Sequence, residues 1–249
     1  MFPDCASVLP DLVDGTGLAA VPGTVNFRSI GPVDQVRAGV IWRSDGLSDL
    51  GPEGRDALSV LGIRTIVDLR QRIEREQHPD DVGGLDVVVH TEAVLGGGLD
   101  VDTISGIDDL YRRIVDARGA QLTGAVRALA APGALPAVVH CSAGKDRTGL
   151  VAALVLSAVG VPDDVIAADY ARTADLLRGE ALKQVHRRAV EAGLGEQRIA
   201  VALTAPPAAM TEALRNLQDA HGGAEAYLRR HGMQDPEFEA LRAALALGG

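Results

Sequence analysis

The chain has 249 residues, with 24 Lys and Arg against 34 Asp and Glu, so its formal net charge is −10. Such a balance excludes a general nucleic-acid binder, whose affinity rests on many paired phosphate contacts from basic residues. At 47% apolar and 23% charged the composition is that of a globular protein, long enough for one large core or two small ones, built from Ala, Val and Leu because aromatics reach only 3%.

The first residues, MFPDCASVLP, carry no Lys or Arg ahead of their apolar positions and include Asp4, so they do not read as a signal peptide. The longest apolar run, residues 150–161, is about a dozen residues, short of the ~20 that span a bilayer. The expectation is a cytoplasmic protein without stable membrane insertion, with export by a route lacking a signal peptide left open. Two cysteines, Cys5 and Cys141, allow one disulfide at most and no four-ligand zinc site; no cofactor or metal is expected.

Residues 1–35, rich in Gly, Pro and Asp, read as irregular and give way to an apolar, β-prone stretch over 36–44. A short helix is predicted over 51–61, with Gly62 where a C-terminal residue of positive φ is often wanted. Two Val-, Ile- and Thr-rich strands follow at 63–69 and 86–94. Gly96-Gly97-Gly98 is a loop, and helical spacing resumes over 108–131 with a break at Gly119. Residues 136–140, PAVVH, fit a strand buried on both faces.

Next come HCSAGKDRTG, residues 140–149, and an apolar helix over 150–160. Pro162 starts a helix through Tyr170. The rest is helical, with breaks at 193–195, Pro206-Pro207 and Gly222-Gly223. The fold class is therefore α/β: a central, mostly parallel sheet flanked by helices in a single domain, whose helical C-terminal third forms a further layer or a lid.

A strand, a tight Gly-containing loop and a helix aim backbone N–H groups and a helix N-terminus at an anion. Cys141 and Arg147 bracket that loop. A thiol near cations at a helix N-terminus becomes a thiolate, and a guanidinium grips two phosphoryl oxygens as a Lys point charge cannot. Backbone amides of Ser142, Ala143, Gly144, Lys145, Asp146 and Arg147 would bind the remaining oxygens. The Thr148 hydroxyl can donate to the sulfur, and His140 orders the loop backbone. The pattern suits nucleophilic attack on a phosphate ester.

The departing oxygen needs a proton. Asp146, beside Arg147, is the first choice; Asp108 and Asp109 upstream are rivals, and Asp68 at a strand's C-terminal end is a third candidate. Asp68 and Arg70 either pair with each other at the sheet edge or contact substrate. His78, His90, His186 and His231 lack metal-ligand spacing, and Cys5 reads as a neutral thiol.

The loop resembles the His-Cys-x-x-Gly-x-x-Arg-Ser/Thr-Gly signature of protein tyrosine and dual-specificity phosphatases. The fuller pattern is similar to a bacterial branch that also acts on phosphoinositides: Asn26-Phe27-Arg28, Asp68-Leu69-Arg70, the loop, Asp169-Tyr170, and a tail with Gly223, Tyr227 and Leu228 stand in the same order. The resemblance implies a tyrosine-phosphatase-like fold, Cys141 as nucleophile, Arg147 as phosphate clamp and Asp146 as acid. It also implies Lys145 as a holder of an additional ring phosphate, and a helical lid over 173–192, where the basic face from Lys183 to Arg188 either meets water or anionic lipid. One departure is Ser29-Ile30-Gly31-Pro32, where that branch tends to have Asp-Leu-Gly-Gly.

The expected partner is a phosphorylated protein or a phosphoinositide, with oligomeric state unassigned. A Walker-type site is rejected because Val139 stands at its first glycine and Asp146 follows the lysine. The alternatives are a sulfur transferase, which has no need of Arg147, and a non-catalytic phosphate-binding module, which is weakened by the presence of both a nucleophile and a candidate acid.

Overall fold

The computed structural model describes residues 13–96, 103–191 and 205–247. Five strands, β1 (Arg28–Ser29), β2 (Ile41–Ser44), β3 (Thr65–Asp68), β4 (Val88–Thr91) and β5 (Ala137–His140), form one sheet in the order β1-β2-β5-β3-β4. Only β1 is antiparallel to its neighbour; the other pairs are parallel. The last strand in sequence lies between β2 and β3, so its C-terminal end opens at the centre of the sheet, where a parallel α/β sheet receives its ligand.

Ten helices are seen among the described residues: α1 (Gly51–Val60), α2 (Arg72–Gln77), α3 (Ile107–Ala117), α4 (Gly119–Ala130), α5 (Asp146–Ala158), α6 (Asp163–Leu176), α7 (Gly179–Glu191), α8 (Pro207–His221), α9 (Ala224–Arg230) and α10 (Asp235–Leu245). Successive strand residues face opposite sides of the sheet. Trp42, Ile66 and Val138 pack on one side with Phe27 and Leu58, the latter on α1. Ile41, Val67 and Val139 pack on the other, against α3, α4, α5 and the C-terminal helices. Burial on both faces explains why β5 reads as a nearly unbroken apolar run.

Several boundaries differ from the sequence reading. The strand read over 36–44 is only β2, Ile41–Ser44, because residues 36–40 are drawn into turns, with Val36 N–H bonded to Pro32 O at 3.1 Å and the Val36 side chain buried in the core, and the two-residue β1 lies in the stretch read as irregular. β4 is an edge strand with Val88 and Val89 exposed. α5 begins at Asp146, four residues before the apolar run, so Asp146, Arg147 and Thr148 form its first turn. α6 continues past Tyr170 to Leu176.

α8, α9 and α10 are part of the main core: Met210, Leu214, Tyr227, Phe238 and Leu241 are buried in the same cluster as Val139 and Leu154. Tyr227 Oη donates to Val115 O at 2.7 Å, tying α9 to α3. Within the segment read as a lid, Thr173 is fully buried on α6, and α7 carries Lys183, His186 and Arg187 exposed. Cys5, Gly97, Gly98, Ala192 and the break at 193–195 lie outside the described residues. Among the described residues no helix is long and apolar enough to cross a membrane.

Candidate active site

The loop between β5 and α5 gathers the chemistry. Three of its carbonyls are tied from outside, Ser142 O accepting from Gly46 N (3.2 Å) and Ala143 O and Gly144 O from Asn26 Nδ2 (3.2 and 3.0 Å), while Lys145 O accepts the first helical bond of α5 from Gly149 N (2.7 Å). Arg43 Nη2 adds a second bond to Gly144 O at 2.8 Å. A planar trans peptide points its N–H opposite to its C=O. Fixing the carbonyls outward therefore turns the loop's amides inward, toward the volume above Cys141. Gly144 makes this possible, since φ is +65° and a Cβ there would lie 2.4 Å from Ser44 O.

Asn26 and Arg43 are themselves held. Asp45 Oδ1 accepts from Asn26 N at 3.1 Å, and Arg28 Nη1 donates to Asn26 Oδ1. Arg28 Nη2 reaches Asp169 O and Thr173 Oγ1 (3.2 and 3.0 Å), and Asp169 Oδ2 lies 3.4 Å from Arg43 Nη1. The Asn26-Phe27-Arg28 and Asp169-Tyr170 segments thus form a buried scaffold behind the loop.

Cys141 is buried at the base of the loop. Burial alone would push its thiol up, but the Arg147 guanidinium and then the Thr148 side chain and backbone outweigh it, so the thiol titrates below its ordinary range. The Thr148 hydroxyl is buried without any other hydrogen-bond partner.

Arg147 is forked onto Glu74, Nη1 to Oε2 at 2.7 Å and Nη2 to Oε1 at 2.9 Å. Glu74 also accepts from Ser142 Oγ, and its Oε2 accepts from Gln71 N at 2.8 Å in the capping box of α2. Although burial opposes it, the Arg147 charge leads the contacts that hold Glu74 down to about 2. A guanidinium has five N–H donors; the fork, with Nη1 also 3.5 Å from Leu69 O and Nη2 3.2 Å from Ser142 Oγ, fixes its plane and engages the terminal N–H groups, leaving Nε. The sequence reading missed Glu74, whose one local signal is its capping-box spacing from Gln71.

Asp146 is brought beside Lys145, whose Nζ lies 3.3 Å from Asp146 Oδ1, and the same oxygen accepts from Tyr111 Oη at 2.7 Å. Of the rivals on α3, Asp108 acts electrostatically on Tyr170, whose hydroxyl is bonded to that of Tyr111. Asp109 is bound by Arg113, Ser105 N and Arg112, contacts led by Arg113 that hold its carboxyl well below the usual range. Asp108 is exposed on the first turn of α3.

Asp68 and Arg70 lie in a buried ion cluster beneath the loop. Arg70 bonds Asp68 through Nε and Nη2 at 2.9 and 2.8 Å, and Nη2 is 2.8 Å from Asp80 Oδ1. His140 places Nε2 3.2 Å from Asp80 Oδ2 and Nδ1 3.3 Å from Cys141 O. Burial disfavours the charged ring, yet Asp80 and Asp68 outweigh it and raise the His140 pKa. Asp68, Asp80 and His140 form a donor set a cation could use. The Arg70 guanidinium already supplies the positive charge between the two carboxylates.

Residues 19–247 match the sequence profile of the "Tyrosine phosphatase family". The chain is 36% identical over 191 residues to the "Triple specificity protein phosphatase PtpB" of Mycobacterium tuberculosis, covering 62% of this chain and 68% of that protein. It is 30% identical over 265 aligned positions to a "Tyrosine-protein phosphatase" of Nostoc commune, covering 99% of this chain and 85% of that one.

Proposed function

The chain belongs to the tyrosine phosphatase family and is a protein-tyrosine phosphatase, and we propose that it works through a phosphocysteine on Cys141. The observation that carries this reading is the lowered thiol of Cys141 at the base of a loop whose carbonyls are tied outward and whose arginine is held by Glu74.

In the first step the Cys141 thiolate attacks phosphorus while the ester P–O bond breaks. Arg147 and the loop amides take the charge on the equatorial oxygens. Asp146 gives its proton to the departing oxygen, so a neutral alcohol or phenol leaves. In the second step water attacks phosphorus, Asp146 takes its proton, and the P–S bond breaks. The Thr148 hydroxyl donates to the sulfur as its negative charge returns.

Phosphotyrosine is the main substrate, with phosphoinositides and phosphoserine or phosphothreonine as further ones. The triple specificity in the name of the mycobacterial relative supports this breadth, as does Lys145, a second cation at the loop. Asp68 and Arg70 serve as support below the site, since their charges face each other, Asp80 and His140.

Cys141→Ser abolishes hydrolysis of a phosphotyrosine peptide while phosphate-analogue binding survives; retained turnover refutes the mechanism. Lys145→Ala, assayed on the same peptide and on a phosphoinositide, loses more on the lipid, and an equal loss on both removes its role as a ring-phosphate contact.

A further inference from the structure

Two buried tyrosines stand behind Asp146. Tyr111, on α3, donates to Asp146 Oδ1 at 2.7 Å, and Tyr170, on α6, lies with its hydroxyl 2.7 Å from that of Tyr111. A phenol has one proton. Tyr111 gives its proton to Asp146, so Tyr170 donates to Tyr111, and the chain runs from Tyr170 through Tyr111 to the carboxylate. Donors in such a row polarise one another.

The rings are fixed. Tyr111 and Tyr170 are buried and meet edge to face, with centroids 6.2 Å apart and planes at 84°. Tyr170 lies against Gly149, where a Cβ would come 3.0 Å from its Cδ2, so the glycine after Thr148 gives the ring its place. The adjacent Asp169 faces Arg43, which holds Gly144 O. One pair of neighbouring residues on α6 therefore supports both the loop backbone and the tyrosine chain.

Tyr111 and Lys145 both approach Oδ1 of Asp146. An oxygen that accepts two donors does not carry a proton, which leaves Oδ2 to carry it. We propose that Tyr111, backed by Tyr170, is the positioning residue for the acid, holding Asp146 Oδ1 so that the proton departs from Oδ2 to the leaving-group oxygen. This inference rests on Asp146 being the acid.

The tyrosines do not titrate in the working range: burial, followed by the Asp146 charge, raises Tyr111 well above its ordinary value and raises Tyr170 in the same direction. The groups facing the chain are Lys145, Arg147 and Cys141 from the loop and α5, Arg43 from β2, and Asp108 from α3.

The test compares kcat/KM, which reports the phosphoryl transfer to Cys141, for phenyl phosphate and for the activated ester p-nitrophenyl phosphate. Tyr111→Phe is expected to lower the phenyl phosphate value about tenfold and the activated ester by no more than about twofold. Across a series of aryl phosphates the fall of kcat/KM with rising leaving-group pKa becomes steeper. Tyr170→Phe gives the same pattern, smaller, and guards against a folding defect in the first variant. Equal losses on both esters, or an unchanged leaving-group dependence, would overturn the positioning role. Asp146→Asn separates the two readings: if it discriminates between the esters and Tyr111→Phe does not, only the positioning fails, and if it does not discriminate, the acid assignment falls and the positioning role with it.

Discussion

Arg70 and Arg147 each grip a carboxylate with two nitrogens, Arg70 side-on through Nε and Nη2 and Arg147 end-on through Nη1 and Nη2, so that Nε is engaged in the first and left over in the second. Arg70 bonds Asp68 through two nitrogens, reaches Asp80 with one of them, and gives Nη1 to His78 O at 2.8 Å. Arg147 has its two terminal nitrogens on Glu74 and stands on the first turn of the helix that follows Cys141. A fork therefore does not mark a catalytic arginine; what matters is which donors remain and which anion they face. In Arg70 the pairing neutralises buried charge, and in Arg147 it fixes the guanidinium plane that the proposed mechanism uses as a clamp.

The sharpest way to break the comparison is to keep the charge and remove the fork. Arg147→Lys should lower kcat/KM about a thousandfold, because a point charge cannot grip two phosphoryl oxygens in one plane. A loss of only a few-fold, measured with an aryl phosphate, would mean that the loop amides alone do the clamping.

Glu74→Gln keeps the shape and removes the charge that fixes Arg147. A loss of about ten- to a hundredfold is expected from the misplaced guanidinium. The same variant has a stability signature. Glu74 is lowered from 4.5 to about 2, so its contribution is complete above about pH 4.5 and is lost as the pH falls toward 2. Acid unfolding followed by circular dichroism should be shallower over that window in Glu74→Gln than in the wild type.

Arg70→Met is the contrasting variant. It leaves Asp68 and Asp80 buried without their cation, a change that costs about 3–5 kcal/mol in comparable buried pairs. Urea titration should register that loss while kcat/KM per folded molecule stays near the wild-type value. A large drop in kcat/KM with unchanged stability would make Arg70 a substrate contact instead.

The same contrast explains what could be read from the sequence. The loop is legible because Cys141, Gly144, Arg147 and Thr148 fall within eight consecutive residues and their chemistry is local. Asp68 and Arg70 are legible as a pair because they are two residues apart. Glu74 is not, since it meets Arg147 across 73 positions; only the fold brings α2 to the loop. Asn26, Arg28 and Asp169 stood out as short motifs, but their work of holding loop carbonyls and one another emerges only when β1, β2 and α6 are assembled.

Tyr111 escaped notice because, on an amphipathic helix, a core tyrosine and one that holds a carboxylate look alike. The parallel sheet and the buried β5 followed from their apolar runs. The limits of β2 did not, because apolar Val36 is buried from a turn as readily as from a strand. Nor did the start of α5, whose first turn is made of the polar residues Asp146, Arg147 and Thr148 rather than of the apolar run that follows.

The most direct test of the account is rapid-quench mass spectrometry during turnover of an aryl phosphate, at a pH where the acid-labile alternatives are absent. One phosphoryl group should be found on the peptide carrying Cys141, appearing at the rate of the first step and decaying as phosphate is released. Turnover at the normal rate with no adduct on Cys141 under any quench condition, or with the adduct on another residue, would contradict it.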